Sequence, residues 1–162
     1  MLIPFVALVT GTSSGFGLSM AKRALEAGDK VVATLRVPSD IAGIASAHPS
    51  SELAVIKVDV TRPEDVTNAF SEAKARFGRV DVVFNNAATS AIGEIESVPD
   101  ADARRIFDVN FWGAAVVSRE AVRFFREENP PGTGGLLLNM SSDTGHASVP
   151  CIGYYSAAKH GE

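Results

Sequence analysis

Tyr155 and Lys159 stand four residues apart near the end of the printed sequence. Residues at this spacing share one face of a helix, so a phenol and an ammonium would lie side by side. A free phenol has a pKa of about 10, which makes it a poor acid–base catalyst at neutral pH. A neighbouring ammonium favours the phenolate and so brings proton exchange closer to neutrality. Taken alone, the pair also fits an ordinary exposed helix face.

A glycine-rich run, residues 10–17 (TGTSSGFG), lies between an apolar segment and a segment of helical periodicity. Glycines there permit a tight turn and close backbone approach, and the following helix offers unpaired N–H groups with a partial positive charge. We therefore expect a dinucleotide phosphate site, although the pattern alone would also fit a simple turn. The predicted cofactor-binding residues of this run are Gly11, Thr12, Ser13, Ser14, Gly15, Phe16 and Gly17.

The elements that must position these residues alternate between strand and helix. Apolar runs rich in Val, Leu and Ile are typical of parallel strands covered on both faces, and they predict strands over 5–10, 30–35, 53–58, 80–84 and 135–140. Helical periodicity predicts helices over 14–27, from about Thr61 to Gly78, and over about 100–128. Thr61 and Glu64 have the spacing of a capping box. The order predicts an α/β fold, a doubly wound parallel sheet with right-handed crossovers.

Four motifs together resemble the short-chain dehydrogenase/reductase family. Residues 10–17 are similar to its TGxxxGxG signature, and Asp59-Val60 is similar to the acidic residue after its third strand. Residues 85–88 (NNAA) resemble its NNAG, and residues 155–159 (YSAAK) match its YxxxK. The resemblance covers essentially the whole chain. It implies one Rossmann-type NAD(P)-binding domain over 1–162, with strand order 3-2-1-4-5 and without the last two family strands.

The resemblance also implies roles for individual residues. Tyr155 would exchange the proton, and Lys159 would assist it and hydrogen-bond the nicotinamide ribose. Ser142 matches the family serine that holds the substrate carbonyl or hydroxyl. Asn110 matches an asparagine that supports a proton-relay water, although a polar residue on a helix face is the alternative. Tyr154 is a rival to Tyr155 but has no lysine four residues on. Further cofactor contacts are implied for Asp59, Val60, Asn86 and Ala87.

The choice between NADP and NAD depends on the residues after the second predicted strand. An acidic residue there would bond a free 2′-hydroxyl and repel a 2′-phosphate. This chain has Leu35-Arg36, with no carboxylate until Asp40. A guanidinium can give a charge-assisted bond to a phosphate, so the sequence favours NADP over NAD. Many NADP-using family members carry a basic residue where this chain has Ser14, and Arg36 could alternatively be a solvated surface charge.

Family members continue well beyond YxxxK, so we expect this chain to lack the nicotinamide clamp and the substrate lid. Three functions stay open. The first is an NADP-dependent oxidoreductase acting on a small carbonyl or alcohol substrate. The second is a non-catalytic NADP(H)-binding module, and the third is an interaction fragment. Without later strands, the apolar residues 136–138 would form a sheet edge, which predicts possible self-association.

Composition excludes several other classes. The formal net charge of −4 is spread over mixed acids and bases without a Lys/Arg block, so nucleic acid is not an expected partner. His48, His146 and His160 are scattered, so no metal site is expected. Cys151 stands alone and cannot form an internal disulfide.

Residues 1–10 predict a first strand and not a signal peptide, and no apolar run approaches the length of a membrane span. We expect a cytoplasmic protein.

Overall fold

A computed structural model describes residues 4–162. The five strands are β1 (Val6–Thr10), β2 (Lys30–Leu35), β3 (Leu53–Lys57), β4 (Val82–Asn85) and β5 (Leu136–Asn139). The α-helices are α1 (Gly15–Glu26), α2 (Ala42–Ala47), α3 (Pro63–Phe77), α4 (Asp100–Phe107), α5 (Ala114–Glu127) and α6 (Gly153–Gly161). Shorter helical turns are the 3₁₀ turns Pro38–Ile41 and Asp143–Gly145 and the π-helical turn Asp108–Gly113.

The strands form one parallel sheet in the order β3-β2-β1-β4-β5, as the sequence predicts. In the register of the sheet, Val9 of β1 lies between Ala33 of β2 and Phe84 of β4. The chain runs outward from β1 to β3 on one side and then returns to add β4 and β5 on the other. The order therefore reverses between β1 and β4. In open parallel sheets, ligands bind beyond the carboxyl ends of the strands at such a reversal.

Both faces of the sheet are covered, and β1 is buried along its whole length. On one face, Phe70 of α3 and Phe124 of α5 pack together with their ring centroids 5.4 Å apart. On the other face, Leu25 of α1 and Ile41 belong to a second apolar cluster. Burial on both faces explains why the sequences of β1 to β4 are apolar runs without alternation, whereas the apolar residues of β5 are largely exposed.

Most element boundaries lie within one residue of the sequence prediction, and two differences have a structural cause. Helix α3 begins at Pro63 after Arg62, and its N-cap residue makes no side-chain capping bond, so the predicted capping box is wrong. The Thr61 hydroxyl donates instead to Asp59 Oδ1, at 2.7 Å. Strand β4 begins at Val82 and not at Val80. The Val80 N–H and C=O are bonded by the side chain of Asn129, which withdraws them from the ladder.

The predicted helix over 100–128 is present, but a π-helical turn divides it into α4 and α5. Such turns are often found at functional sites. A Cβ atom at Gly113, the last residue of the turn, would lie 2.8 Å from Val60 Cγ2, so glycine permits the turn to approach the segment after β3. Asn110 lies within this turn.

Strand β5 lies at the edge of the sheet, as the sequence predicts. Its side chains Leu136 and Leu138 are 52% and 38% exposed. The following helix α6 packs against α4, the π-helical turn and the 3₁₀ turn at 143–145. Over residues 4–162, no helix combines the length and apolarity needed to cross a membrane.

Candidate active site

The glycine-rich loop joins the end of β1 to the start of α1 at the reversal of strand order. Gly15, the first residue of α1, has a φ of 56°, which is the left-handed region that glycine adopts most readily. A Cβ atom at Gly17 would lie 2.4 Å from the Gly11 carbonyl oxygen and 2.6 Å from Asn86 Nδ2. Glycine is therefore required at 17 so that α1 can approach the loop and the segment after β4.

The segment after β4 is fixed to the end of β1 by Thr10. The Thr10 hydroxyl oxygen accepts hydrogen bonds from the backbone N–H groups of Asn86 and Ala87, both at 2.9 Å. The Asn86 side-chain amide donates to the Thr10 carbonyl oxygen at 2.9 Å. These three bonds hold the two loops in one arrangement at the carboxyl end of the sheet.

A cleft of about 460 Å³ lies at the ends of β1, β2, β3 and β4. Nine of the predicted cofactor residues line it, namely Gly11, Ser13, Ser14, Phe16, Arg36, Asp59, Val60, Asn86 and Ala87. Thr12, Gly15 and Gly17 are not among its lining residues. Thr12 is fully buried, and its hydroxyl donates to the Thr34 carbonyl oxygen at 3.1 Å. Its side chain therefore connects β1 to β2 and does not face the cleft.

One wall of the cleft carries a pair of opposite charges. The Asp59 carboxylate accepts bonds from the Thr61 N–H at 3.0 Å and the Thr61 hydroxyl at 2.7 Å. Partial burial raises the pKa of Asp59, but the bonds from Thr61 and the positive charges of Arg36 and Arg62 outweigh it and hold that pKa below its usual value. Within residues 4–162, Arg36 is exposed and makes no hydrogen bond or ion pair to another residue. Its guanidinium is therefore available to an anion in the cleft.

Asn110 is completely buried and fixes the loop after β4. Its Oδ1 accepts from the Thr89 N–H at 2.8 Å, and its Nδ2 donates to the Thr89 carbonyl oxygen at 2.8 Å. Thr89 also lines the cleft, as does Arg105, which donates to the Thr89 hydroxyl at 3.2 Å. The asparagine side chain therefore determines where this part of the cleft wall lies.

Lys159 is 4% exposed and ties α6 to the end of β5. Its ammonium donates to the Met140 carbonyl oxygen at 2.6 Å and to the Glu162 carboxylate. An ammonium has three protons, so one remains for another acceptor. Tyr155 is half-buried one helical turn earlier, on the same side of α6.

Ser142 follows β5 and begins the 3₁₀ turn 143–145. Its hydroxyl donates to the Asp143 carboxylate at 3.0 Å and accepts from the Thr144 hydroxyl at 3.0 Å. A Cβ atom at Gly145 would lie 3.0 Å from the Lys159 carbonyl oxygen, so this turn lies directly against α6. Ser142, Tyr155 and Lys159 thus belong to two segments in contact at the same end of the sheet as the cleft, although none of the three lines it.

A model of the short chain dehydrogenase family matches residues 5–162. The chain belongs to this family. An uncharacterized oxidoreductase of Schizosaccharomyces pombe is 40% identical over 94% of this chain and 49% of its own length. A short-chain dehydrogenase from Streptomyces avermitilis has a TM-score of 0.88 at 34% identity, covering 98% of this chain and 56% of that one.

A further solved structure is a short-chain dehydrogenase/reductase from Burkholderia phymatum in complex with NAD. Its TM-score is 0.85 at 29% identity, and the match covers 98% of this chain and 56% of that chain. The chain spans about half the length of the curated relatives that it matches.

One departure from the short-chain dehydrogenase motifs and one rival residue have structural outcomes. Ala88 stands where the family has the last glycine of NNAG, and its backbone does not adopt a positive φ, so alanine is accommodated there. Tyr154, the rival to the YxxxK tyrosine, points elsewhere. Its hydroxyl donates to the Ile95 carbonyl oxygen at 3.4 Å, and it lines a separate cleft together with Trp112.

The sequence prediction of this candidate site missed several positioning residues. Thr10 belongs to the TGxxxGxG motif, and a hydroxyl at the end of a strand is a signal that could have identified it. Thr89 and Arg105 carry no such signal, because their proximity depends on how the π-helical turn packs against the loop after β4. In the described part of the chain, no three His, Cys, Asp or Glu side chains converge on a metal position.

Proposed function

We propose that this chain supplies the cofactor-binding and proton-transfer residues of an NADP-dependent oxidoreductase. The reaction would transfer hydride between NADP(H) and a carbonyl or alcohol substrate. One observation carries the proposal: the glycine-rich loop and the helix bearing Tyr155 and Lys159 both lie at the carboxyl end of one parallel sheet. This common location supports a single site for the phosphate-binding and proton-transferring residues.

The residues that line the cleft fit a dinucleotide. The loop at 13–16 ends at the N-terminus of α1, where unpaired N–H groups favour a pyrophosphate. Asp59 and Val60 would meet the adenine on one side of the cleft, and Ala87 would close the other. Arg36 would pair with a 2′-phosphate. When bound, the nicotinamide ring would supply or accept the hydride.

The chain's own residues would handle the proton. In the direction of reduction, the Tyr155 hydroxyl gives its proton to the substrate oxygen as hydride reaches the carbon, so a carbonyl becomes an alcohol. In oxidation, the Tyr155 phenolate takes the alcohol proton. The Lys159 ammonium stabilises that phenolate by its charge, and Ser142 would hydrogen-bond the substrate oxygen.

NADP is proposed over NAD because the segment after β2 presents a guanidinium and no carboxylate to the cleft. The Burkholderia phymatum relative is in complex with NAD, so family membership does not choose between the two. Arg36 would form a charge-assisted bond with a 2′-phosphate, which NAD lacks.

A thermal-shift titration of the 162-residue chain with NADPH and with NADH tests the cofactor part of the proposal. A ligand that binds the folded state raises the melting temperature by mass action. We expect a larger rise with NADPH at equal concentration. No rise with either cofactor would contradict the proposed function, and NADPH oxidation with a panel of ketones and aldehydes tests turnover.

The exposed edge of β5 supports a second, subordinate proposal of self-association. Leu136 and Leu138 present apolar side chains beside backbone groups that no described strand pairs on that side. We expect a mass in solution above that of one chain, and Leu138→Lys should shift it toward the monomer. A monomer at all concentrations would contradict this proposal without affecting the cofactor site.

A further inference from the structure

The hydroxyl of Ser142 is engaged by its own turn before any ligand is considered. It lies 3.0 Å from Asp143 Oδ1 and 3.0 Å from the Thr144 hydroxyl oxygen. The Thr144 N–H donates to Asp143 Oδ1 at 2.8 Å and, less closely, to the Ser142 oxygen at 3.2 Å. One carboxylate oxygen thus receives both the serine proton and the backbone N–H.

The hydrogen-bonding capacity of a hydroxyl is one proton and two lone pairs. A carboxylate is the strongest acceptor within reach of Ser142, because hydrogen bonds to a charged partner are about twice as strong as neutral ones. The serine proton is therefore directed at Asp143. The lone pairs of the Ser142 oxygen face the Thr144 hydroxyl and the more distant Thr144 N–H. That N–H makes its shorter hydrogen bond to Asp143 Oδ1.

We propose that Asp143 is a positioning residue that makes Ser142 a hydrogen-bond acceptor and so favours alcohol over carbonyl ligands at this site. The inference rests on the proposed function, in which Ser142 contacts the substrate oxygen. A substrate hydroxyl donates to Ser142 by displacing only the 3.2 Å contact with the Thr144 N–H. A substrate carbonyl needs the serine proton, which must first leave the carboxylate.

The size of the bias follows from the exposure of the carboxylate. Asp143 is exposed, so water replaces part of what it loses when the serine proton turns away. The net free energy of a hydrogen bond to a charged group spans a range, and the lower end of that range corresponds to about a tenfold change in an equilibrium constant. We therefore expect Asp143 to change the ratio of ketone to alcohol affinity by about tenfold.

The surroundings make Asp143 the residue to change. Thr144 is buried, and the turn leaves no space at Gly145, where a Cβ atom would lie 3.0 Å from both the Lys159 carbonyl oxygen and Ser141 Oγ. Substitution of Thr144 or Gly145 would move the turn against α6. Asp143 is exposed, so Asp143→Ala removes the acceptor without changing the buried packing, and the Thr144 N–H that it also bonds keeps its contact with the Ser142 oxygen.

The test compares the dissociation constants of cyclohexanol and cyclohexanone by ligand-observed NMR. Each probe is paired with the cofactor form with which it cannot react, cyclohexanol with NADPH and cyclohexanone with NADP⁺, so binding is measured without turnover. Asp143→Ala should strengthen cyclohexanone binding and weaken cyclohexanol binding, which lowers the ketone-to-alcohol Kd ratio by about tenfold. Asp143→Asn keeps a neutral acceptor and should restore part of the parent ratio. Glu72→Ala, which removes an equal charge from the exposed face of α3, should leave the ratio unchanged.

Equal weakening of both probes in Asp143→Ala, or an unchanged ratio, would overturn the proposal, since a purely structural role moves both constants together. A parent chain that binds neither NADPH nor NADH contradicts the proposed function instead. A neutron structure of the parent needs no substrate and decides the positioning role even if neither probe binds. Deuterium on the Ser142 oxygen directed at Asp143 supports it, and deuterium directed at Thr144 Oγ1 or solvent overturns it.

Discussion

Arg36 is the residue on which the cofactor preference depends. It is exposed and lines the cleft, and its guanidinium makes no hydrogen bond or close ion pair among residues 4–162, although its charge helps to lower the pKa of Asp59. Arg36→Asp should reverse the preference, because a carboxylate repels a 2′-phosphate and accepts a bond from a 2′-hydroxyl. We expect the ratio of NADH to NADPH dissociation constants, measured by isothermal titration calorimetry, to fall at least about tenfold.

Arg126→Asp is the matched control for that experiment. Arg126 is exposed near the end of α5, three residues before Asn129, which bonds Val80 just before β4 at the opposite end of the sheet. Arg126→Asp changes the net charge by the same amount as Arg36→Asp, at a position away from the cleft. Equal affinity of the parent for NADPH and NADH would contradict the role assigned to Arg36.

Tyr155 and Tyr154 provide a test of the proton-transfer assignment in which each is the control for the other. Tyr155→Phe keeps the ring and deletes the hydroxyl that would transfer the proton. NADPH-dependent reduction should fall by about a hundredfold or more, while NADPH affinity is kept. Tyr154→Phe removes only a long bond to the Ile95 carbonyl and should be nearly silent. Damage by Tyr154→Phe together with a harmless Tyr155→Phe would show that the wrong tyrosine has been assigned.

Asp59 predicts a pH dependence of stability. Its pKa is lowered in the folded chain, so its carboxylate stabilises the fold above its ordinary pKa of 3.8. That contribution is lost as the pH falls below this value through the lowered pKa. Asp59→Asn should therefore reduce the free energy of unfolding at pH 7 and have a smaller effect at pH 3, as measured by urea unfolding. Asp40→Asn is a charge-matched control, and an equal effect of Asp59→Asn at both pH values would contradict this account.

Among the secondary-structure elements, two asparagine side chains each hydrogen-bond the backbone of one residue, at opposite ends of the sheet. Asn110 bonds both the N–H and C=O of Thr89 beside the cleft. Asn129 bonds both the N–H and C=O of Val80, two residues before β4. Substituting either asparagine by alanine leaves two backbone groups without hydrogen-bond partners. Each such group, where it is buried, lowers the free energy of unfolding by about 1–3 kcal/mol.

Comparing the alanine variants of these two asparagines distinguishes an effect on stability from an effect on cofactor binding. Asn110→Ala and Asn129→Ala should both lower stability in urea unfolding. Only Asn110→Ala should also weaken NADPH binding by several-fold, because Thr89 lines the cleft and Val80 does not. If the two variants lose NADPH affinity equally, the loop after β4 is not fixed for binding by Asn110.

At the scale of the whole molecule, strand order and the position of the cleft could be predicted from the sequence. Apolar strand runs, alternating helices and the glycine-rich loop depend on local patterns, and the sheet order follows from the family resemblance. The roles of Thr89, Arg105 and Asp143 could not be predicted, since they arise from contacts between segments far apart or from a turn whose bonds no spacing specifies. The π-helical turn could not be predicted, because the spacing of apolar residues does not reveal a turn that contains one extra residue.

The carboxyl end of the sheet is proposed to bind a nicotinamide dinucleotide. The change in backbone amide NMR resonances of the 162-residue chain when NADPH is added locates that binding residue by residue. We predict that the perturbed amides cluster at residues 13–16, 36, 59–60 and 86–89, with none at Val80 or Gly134 at the far end of the sheet. Perturbations centred on that far end, or none at saturating NADPH, would contradict the account.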